Sequence, residues 1–456
     1  MEENSKYAFS DEEWKTCIKV LKTLKEDPFE NPDNNLFAGL ITKIHKNAKK
    51  NIRSSSYTSK KQEDLQTSLN AELVTKALNG ETLFSEKENQ DKQQFTPLNL
   101  PKNCYCCNQS YKLAHSFYTR LCPVCAEENY EKRFQHIDLK GRNVILTGGR
   151  VKVGFATALR LLRNNATVVL TTRFPALALE QFRQEDDFEQ WKENLIVYGL
   201  DLRNLNAIKE FVSFYKSKFG SLDILINNAA QTIKYPDEYY VPLLKKENQL
   251  GITFKSNAML IENQTPVTKE IKALEYGVEE KTEIALTRFG QPVDDREKTS
   301  WNSTLEEISM YELVEVNLIN QIAPYFLIKE LKPLFLNSVF KERFIVNVTS
   351  SEGIFSYSNK TIFHPHTNMT KAALNMMTLT SAKEFAVDSI FMTSVDVGWI
   401  STGAKESLRK RQFEEGYIPP LDSVDGASRI FDPIVQGIKG KSIFGVLLKN
   451  YKVSPW

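Results

Sequence analysis

No run of 18 consecutive apolar residues occurs in the sequence, so no helical membrane span is expected. The segment MEENSKYAFSDEEWK is acidic and lacks the apolar centre of a secretory signal, and the expectation is a cytoplasmic protein with no membrane contact. Net charge is almost absent, because 59 Lys and Arg face 57 Asp and Glu for a balance of +2. With no basic stripe interleaved with aromatics, nucleic acid is not an expected partner. Cysteine is missing from most of the chain: five of the six lie between Cys104 and Cys125, and Cys17 stands apart. That crowding excludes a disulfide scaffold spread along a secreted chain and favours a metal site.

A chain of 456 residues exceeds one average domain, and two folded parts with a tail are expected. Three regions follow from the pattern: a helical, partly flexible extension over 1–100, a cysteine element over 101–140, and an α/β domain over 141–456. In the first, Ser10 and Glu13 have capping-box spacing, and Trp14, Ile18, Val20, Leu21 and Leu24 then recur at helical intervals. A second amphipathic stretch starts near Asn34, with Leu36, Leu40 and Ile44 on one side. Lys43, Lys46, Lys50 and Arg53 lie towards another side, which reads as a solvated face or as a surface for an acidic partner. From Ser54 to about Thr96 large apolar residues are few, which predicts a flexible connector or a loosely packed helix.

Cys104-x2-Cys107 and Cys122-x2-Cys125 form two knuckle-like pairs, the set of four thiolates that closes a structural zinc site. Cys106 is then spare and His115 a weaker substitute ligand; reduced buried cysteines or a redox pair are the other reading. A closed site leaves no open coordination position, so its expected work is to tie chain segments together.

From Gly141 onward, apolar β-rich runs alternate with helical patterns, the signature of a parallel sheet with crossover helices. The runs are 143–146, 167–171, 195–198, 224–226, 344–348 and 390–395. Directly after the first comes Thr147-Gly148-Gly149-Arg150-Val151-Lys152-Val153-Gly154. This resembles the TGxxxGxG turn of the short-chain dehydrogenase/reductase family, in which glycines let backbone approach a pyrophosphate at a helix N-terminus. Asp201-Leu202 resembles the family's adenine-contacting pair, and Asn227-Asn228-Ala229-Ala230 its NNAG motif, with Ala230 in place of glycine.

The resemblance implies a doubly wound parallel α/β sheet, the Rossmann fold, and the residue patterns above place a small zinc-binding element and a helical N-terminal extension before it. It also implies a nicotinamide cofactor held by Thr147, Gly148, Arg150, Lys152, Gly154, Arg173, Asp201, Leu202, Asn228, Ala229, Lys371 and Thr402. Arg173 stands where an NAD-specific site presents a carboxylate, so NADP(H) is the expected form. Lys152 occupies the place of the middle glycine, where its side chain either crowds the phosphates or sets an ammonium beside them.

Of the family's catalytic set, Asn317, Ser350 and Lys371 match the asparagine, serine and lysine. The tyrosine is absent: Thr367 stands four residues before Lys371, and a threonine hydroxyl is a far weaker acid than a phenol of pKa about 10. His366 and His364 are the available replacements, since an imidazole exchanges protons near neutral pH. Two functions follow from the resemblance. One is an atypical NADP(H)-dependent oxidoreductase acting on an unidentified carbonyl or alcohol; the other is a catalytically inactive NADP-binding scaffold or sensor. The family's habit implies a homo-oligomer through helices near Val316 and Lys371, and the extension or an insertion at about 235–310 could take a protein partner.

Overall fold

The computed structural model describes residues 8–79, 94–254, 257–261, 292, 294, 296–356, 360–400 and 411–456. The chain forms two compact units, Met1–Gln66 and Thr67–Trp456. In the first, Ser10 caps the helix Asp11–Leu24 through a reciprocal capping box with Glu13. A second helix, Asn34–Leu69, runs for 36 residues. Its latter half is the polar stretch expected as connector or loose helix; with neither proline nor glycine between 54 and 69, nothing in the backbone chemistry stops it.

The second unit is built on nine hydrogen-bonded strands. The small hairpin before them pairs β1 (Phe95–Asn103) with β2 (Ser110–His115) antiparallel. The main sheet contains β3 (Asn143–Thr147), β4 (Thr167–Thr172), β5 (Leu195–Gly199), β6 (Ile224–Asn227), β7 (Leu260–Ile261), β8 (Arg343–Thr349), β9 (Ile390–Asp396), β10 (Leu447–Lys449) and β11 (Lys452–Ser454). Its order is 11-10-9-8-6-3-4-5-7, parallel except for β11. All six expected strands are present within a residue or two at each end, while the short strands β7, β10 and β11 carry too few residues to show a period.

Strands such as NVILT and RFIVNVT are nearly continuous in apolar or β-branched residues because both faces of a parallel sheet are covered. Alternation then divides them: Val144 and Leu146 join one core with Leu159, Leu162, Ile430 and Ile434, while Ile145 joins another with Phe211, Leu327 and Phe335. Strand order reverses between β3 and β6, and a ligand crevice opens at such a switch point. Among the described residues no helix is long and apolar enough to cross a membrane.

Candidate nucleotide and catalytic site

The turn after β3 sits at that reversal. Gly148 has φ +71°, and a Cβ there would lie 2.8 Å from Ala229 Cα. Gly154 is closer still, since its Cβ would come within 2.1 Å of Gly148 O. Asn228 pins the turn by donating from Nδ2 to Thr147 O and Gly148 O at 3.0 and 2.9 Å. Thr147 Oγ1 in turn accepts from Asn228 N and Ala229 N, both at 3.1 Å.

The helix Lys152–Arg163 starts directly from the turn, and its N-cap Val151 offers no side-chain cap. A helix N-terminus without a side-chain cap is a setting suited to a phosphate, because its dipole favours negative charge. Lys152 has φ +51°, the left-handed region that favours glycine. Lys152→Gly is expected to stabilise the fold by about 1 kcal/mol by removing this strain. A raised urea midpoint at constant slope would show it, and a lowered midpoint would mean that the lysine side chain contributes more than the strain costs.

Two guanidiniums flank the turn. Arg150 is buried, and its pKa falls to about 10, first through burial and then through the neighbouring charge of Arg173. Arg173 follows β4 directly, lies 4.8 Å from the Tyr240 ring centroid, and donates to Tyr240 Oη at 3.3 Å. Tyr240 belongs to the helix Asp237–Phe254, the first part of the expected insertion. The same helix supplies Glu247, whose carboxylate accepts from Ala176 N and Leu177 N at 2.6 and 2.8 Å. Residues 262–291 of that insertion lie outside the described residues. Asp201 is buried with its carboxylate bound by Arg203, which also donates to Glu315 at 2.8 Å; Leu202 is buried beside it.

At the other end of the crevice, Asn317 donates to Leu313 O at 2.6 Å and closes the helix Met310–Asn317. A π-helical turn, Leu318–Ile322, follows at once, a distortion that recurs at functional sites. Within it the buried Asn320 clamps Gln231 by accepting from its N–H at 2.8 Å and donating to its O at 3.1 Å, and it donates to Thr370 at 3.0 Å. Ser350 directly follows β8, half-buried.

The helix Pro365–Val387 places Thr367 and Lys371 on one face. Lys371 is buried, donates from Nζ to Val348 O at 2.9 Å, and is pushed down to about 8 by burial against the fields of Glu352 and Asp396. Thr367 Oγ1 donates to His364 O at 2.9 Å. His366 is buried with Nε2 at 3.3 Å from Glu312 Oε1, and at five residues' separation it lies on a different face from Lys371. His364 has φ +42° and stacks on Trp301 at 4.3 Å between centroids. Thr402 lies outside the described residues.

The short chain dehydrogenase family profile matches residues 142–244, the span from β3 into the Tyr240 helix. An uncharacterized protein of Acanthamoeba polyphaga mimivirus is 30% identical over 343 residues, covering 73% of this chain and 71% of that protein. The chain belongs to the short-chain dehydrogenase/reductase family. The (+)-neomenthol dehydrogenase of Capsicum annuum is 30% identical over 161 residues, 32% of this chain and 51% of the pepper enzyme. The chain thus spans about half the length of this relative and of the bovine dehydrogenase/reductase family member 13, where the share is 48%. Among solved structures, the NADPH-bound carbonyl reductase from chicken fatty liver aligns with 70% of this chain and all of that one, at 17% identity and a TM-score of 0.43.

To the short-chain dehydrogenase/reductase frame this chain adds the cysteine element. Cys104, Cys107, Cys122 and Cys125 bring their four Sγ atoms within 4.8 Å of one another. The Cys107–Cys122 separation is 3.7 Å, close to the roughly 3.8 Å edge of a tetrahedron with zinc–sulfur bonds of about 2.3 Å. The thiols form no disulfide. His115 is no part of the set, because its Nδ1 accepts from Phe117 N at 2.9 Å and burial lowers it to about 4. The element is not separate from the sheet domain: its apolar core of Leu98, Phe117, Tyr118 and Leu121 includes Phe413, Ile418 and Leu421.

Sequence reasoning missed Tyr240, Glu247, Asn320 and Arg203. Each acts through a partner dozens of residues away, except Arg203, whose place two residues after Asp201 was a signal that could have been used.

Proposed function

We propose that this protein is an NADP(H)-dependent oxidoreductase whose cofactor lies across the β3–β6 reversal. The observation that carries the reading is the adjacent pair Arg150 and Arg173 beside an uncapped helix N-terminus, a double positive charge where a 2′-phosphate would sit. When bound, the cofactor supplies or accepts hydride. The chain's own residues do the rest: Asn228 and Thr147 hold the turn open to the pyrophosphate, Lys371 meets the nicotinamide-side ribose, and Ser350 orients a carbonyl or alcohol oxygen. Proton exchange falls to groups near Thr367, with the His364 ring 3.3 Å from its hydroxyl. Titration with NADPH and NADH tests the cofactor reading, and a panel of ketones and alcohols followed at the nicotinamide absorbance tests turnover. Absence of binding by either nucleotide would sink it.

One observation favours a second reading, a cofactor-binding scaffold or sensor without turnover. Thr367 spends its only proton on His364 O within its own helix turn, so it has none to offer a substrate. Tight NADPH binding with no substrate consumed across the panel would decide for this reading.

We also propose a structural zinc ion at the four cysteines, on the strength of four Sγ atoms gathered within 4.8 Å of one another. The purified protein is expected to hold about one zinc per chain, and Cys125→Ser to hold none, by mass spectrometry of total metal. Metal-free wild-type protein with four freely titrating thiols would overturn the assignment.

A further inference from the structure

Through Tyr105 the cysteine element reaches the loop after β9, where Asp396-Val397-Gly398-Trp399-Ile400-Ser401-Thr402 resembles the family loop that lies near the nicotinamide carboxamide, with Val397 in place of proline. Tyr105 lies between the ligand candidates Cys104 and Cys107, and its own N–H is fixed by Arg120 O at 2.9 Å. Its phenol oxygen accepts from Trp399 N at 2.8 Å, in the loop that leaves β9. Beside it Gly398 has φ +83°, and a Cβ there would lie 2.6 Å from Leu421 Cδ1 and 3.4 Å from Tyr105 Oη. The element therefore closes on that backbone with no space for a side chain.

Further contacts hold the same place. Arg120 stands 4.9 Å from the Trp399 ring centroid and donates to Ile418 O at 3.3 Å. On the loop's other side, Asp396 accepts from Gly398 N at 2.9 Å and from Ser351 Oγ at 3.1 Å, and Ser351 adjoins Ser350. A continuous path thus runs from Cys104 through Tyr105, the Gly398–Trp399 backbone, Asp396 and Ser351 to the serine of the catalytic set. The element is itself anchored by buried charges: Arg133 meets Asp422 at 2.8 Å and Asp425 at 3.2 Å, and Arg429 donates to Asn129 at 2.6 Å. Those anchors rest on the helix Ser423–Ile438, so the element has a rigid base from which to position the loop.

We infer that Tyr105 is a positioning residue for the nicotinamide-side loop, supplied by the cysteine element, so that metal at the four cysteines controls binding of the nicotinamide half of the cofactor. The inference rests on the NADP(H) and zinc readings above. It makes the metal a regulator of nucleotide binding as well as a structural tie.

The test compares NADPH with adenosine 2′,5′-bisphosphate, which carries only the half of the cofactor remote from this loop. Tyr105→Phe keeps the ring and removes the acceptor for Trp399 N. Its metal content and its affinity for the bisphosphate should stay at wild-type values, while its affinity for NADPH falls about fivefold to tenfold, the size expected for one lost hydrogen bond. Wild-type protein stripped of metal by a chelator should show the same split, larger in size. Unchanged NADPH affinity in metal-loaded Tyr105→Phe would overturn the inference, as would an equal loss of both ligands. If wild-type protein binds neither ligand, the NADP(H) reading fails and the inference with it. If wild-type protein binds NADPH without holding metal, only the metal control falls.

Discussion

Arg173→Ala is expected to weaken NADPH binding by about ten- to a hundredfold while changing NADH binding less than about threefold, because charge-assisted hydrogen bonds to a phosphate contribute about 1.5–3 kcal/mol. The asymmetry follows from location. Arg173 leaves the end of β4, beyond the turn that would hold the pyrophosphate common to both nucleotides, so only the 2′-phosphate of NADPH depends on it. Arg173 donates to the Tyr240 hydroxyl at 3.3 Å and also feels the Asp201 carboxylate, so a 2′-phosphate would add to existing contacts. Arg150 adds to the same field, and its lowered pKa, about 10, still leaves it charged at neutral pH. Arg150→Ala should therefore also cost NADPH affinity, and binding of NADPH should weaken with salt more steeply than that of NADH. Fluorescence titration of the two nucleotides against both variants reads all of this. Equal losses for NADPH and NADH in Arg173→Ala would show that the guanidinium supports the fold of the site and does not read the 2′-phosphate.

Much of this geometry was legible because it is local. The glycine turn, its helix and the asparagine that pins it lie at the ends of strands whose apolar runs announce themselves, and strand order then brings the ends of β3, β4 and β6 together. Lys152 itself stands in left-handed backbone, a conformation that a glycine adopts without strain. The cysteine spacing was equally local, and it placed four sulfurs within reach of one ion. What could not be read lies in contacts between remote segments. Nothing near Arg173 in sequence announces Tyr240, and nothing near Cys104 announces that Tyr105 meets Trp399, 294 residues on. The rotation of His366 towards Glu312 is of the same kind: helical spacing separates it from the Lys371 face, but only the packing of the helix Met310–Asn317 shows what it meets instead. Polar composition left two readings open over 54–69, connector or loose helix, because residues that serve a linker serve an exposed helix equally well, and the helix is what forms.

The threonine at 367 leads to the largest expected change in rate. Thr367→Tyr restores a phenol to the helix face it shares with Lys371, and NADPH-dependent reduction of a simple ketone is expected to rise by about 10²- to 10⁴-fold, the usual worth of a positioned general acid. The lysine sets the pH dependence. Burial holds Lys371 at about 8, so its positive charge, which would stabilise the phenolate left after proton donation, is present below that pH and lost above it. The variant's rate should therefore fall as pH rises through about 8, and the double variant Thr367→Tyr, Lys371→Met should lose most of the gain. The same shift has a consequence for stability. The native state binds fewer protons than the unfolded chain between about 8 and the ordinary 10.5, so the Lys371 contribution to stability improves as pH rises across that window. Lys371→Met should remove that rise, measured by urea unfolding at pH 8 and pH 10, whether or not the site turns over. Because Thr367 is buried, the melting temperature and NADPH affinity of Thr367→Tyr must be measured beside its activity. A variant that folds and binds NADPH yet reduces no ketone would mean that Ser350 and Lys371 are not in register for hydride transfer, and would favour the scaffold reading over the enzyme.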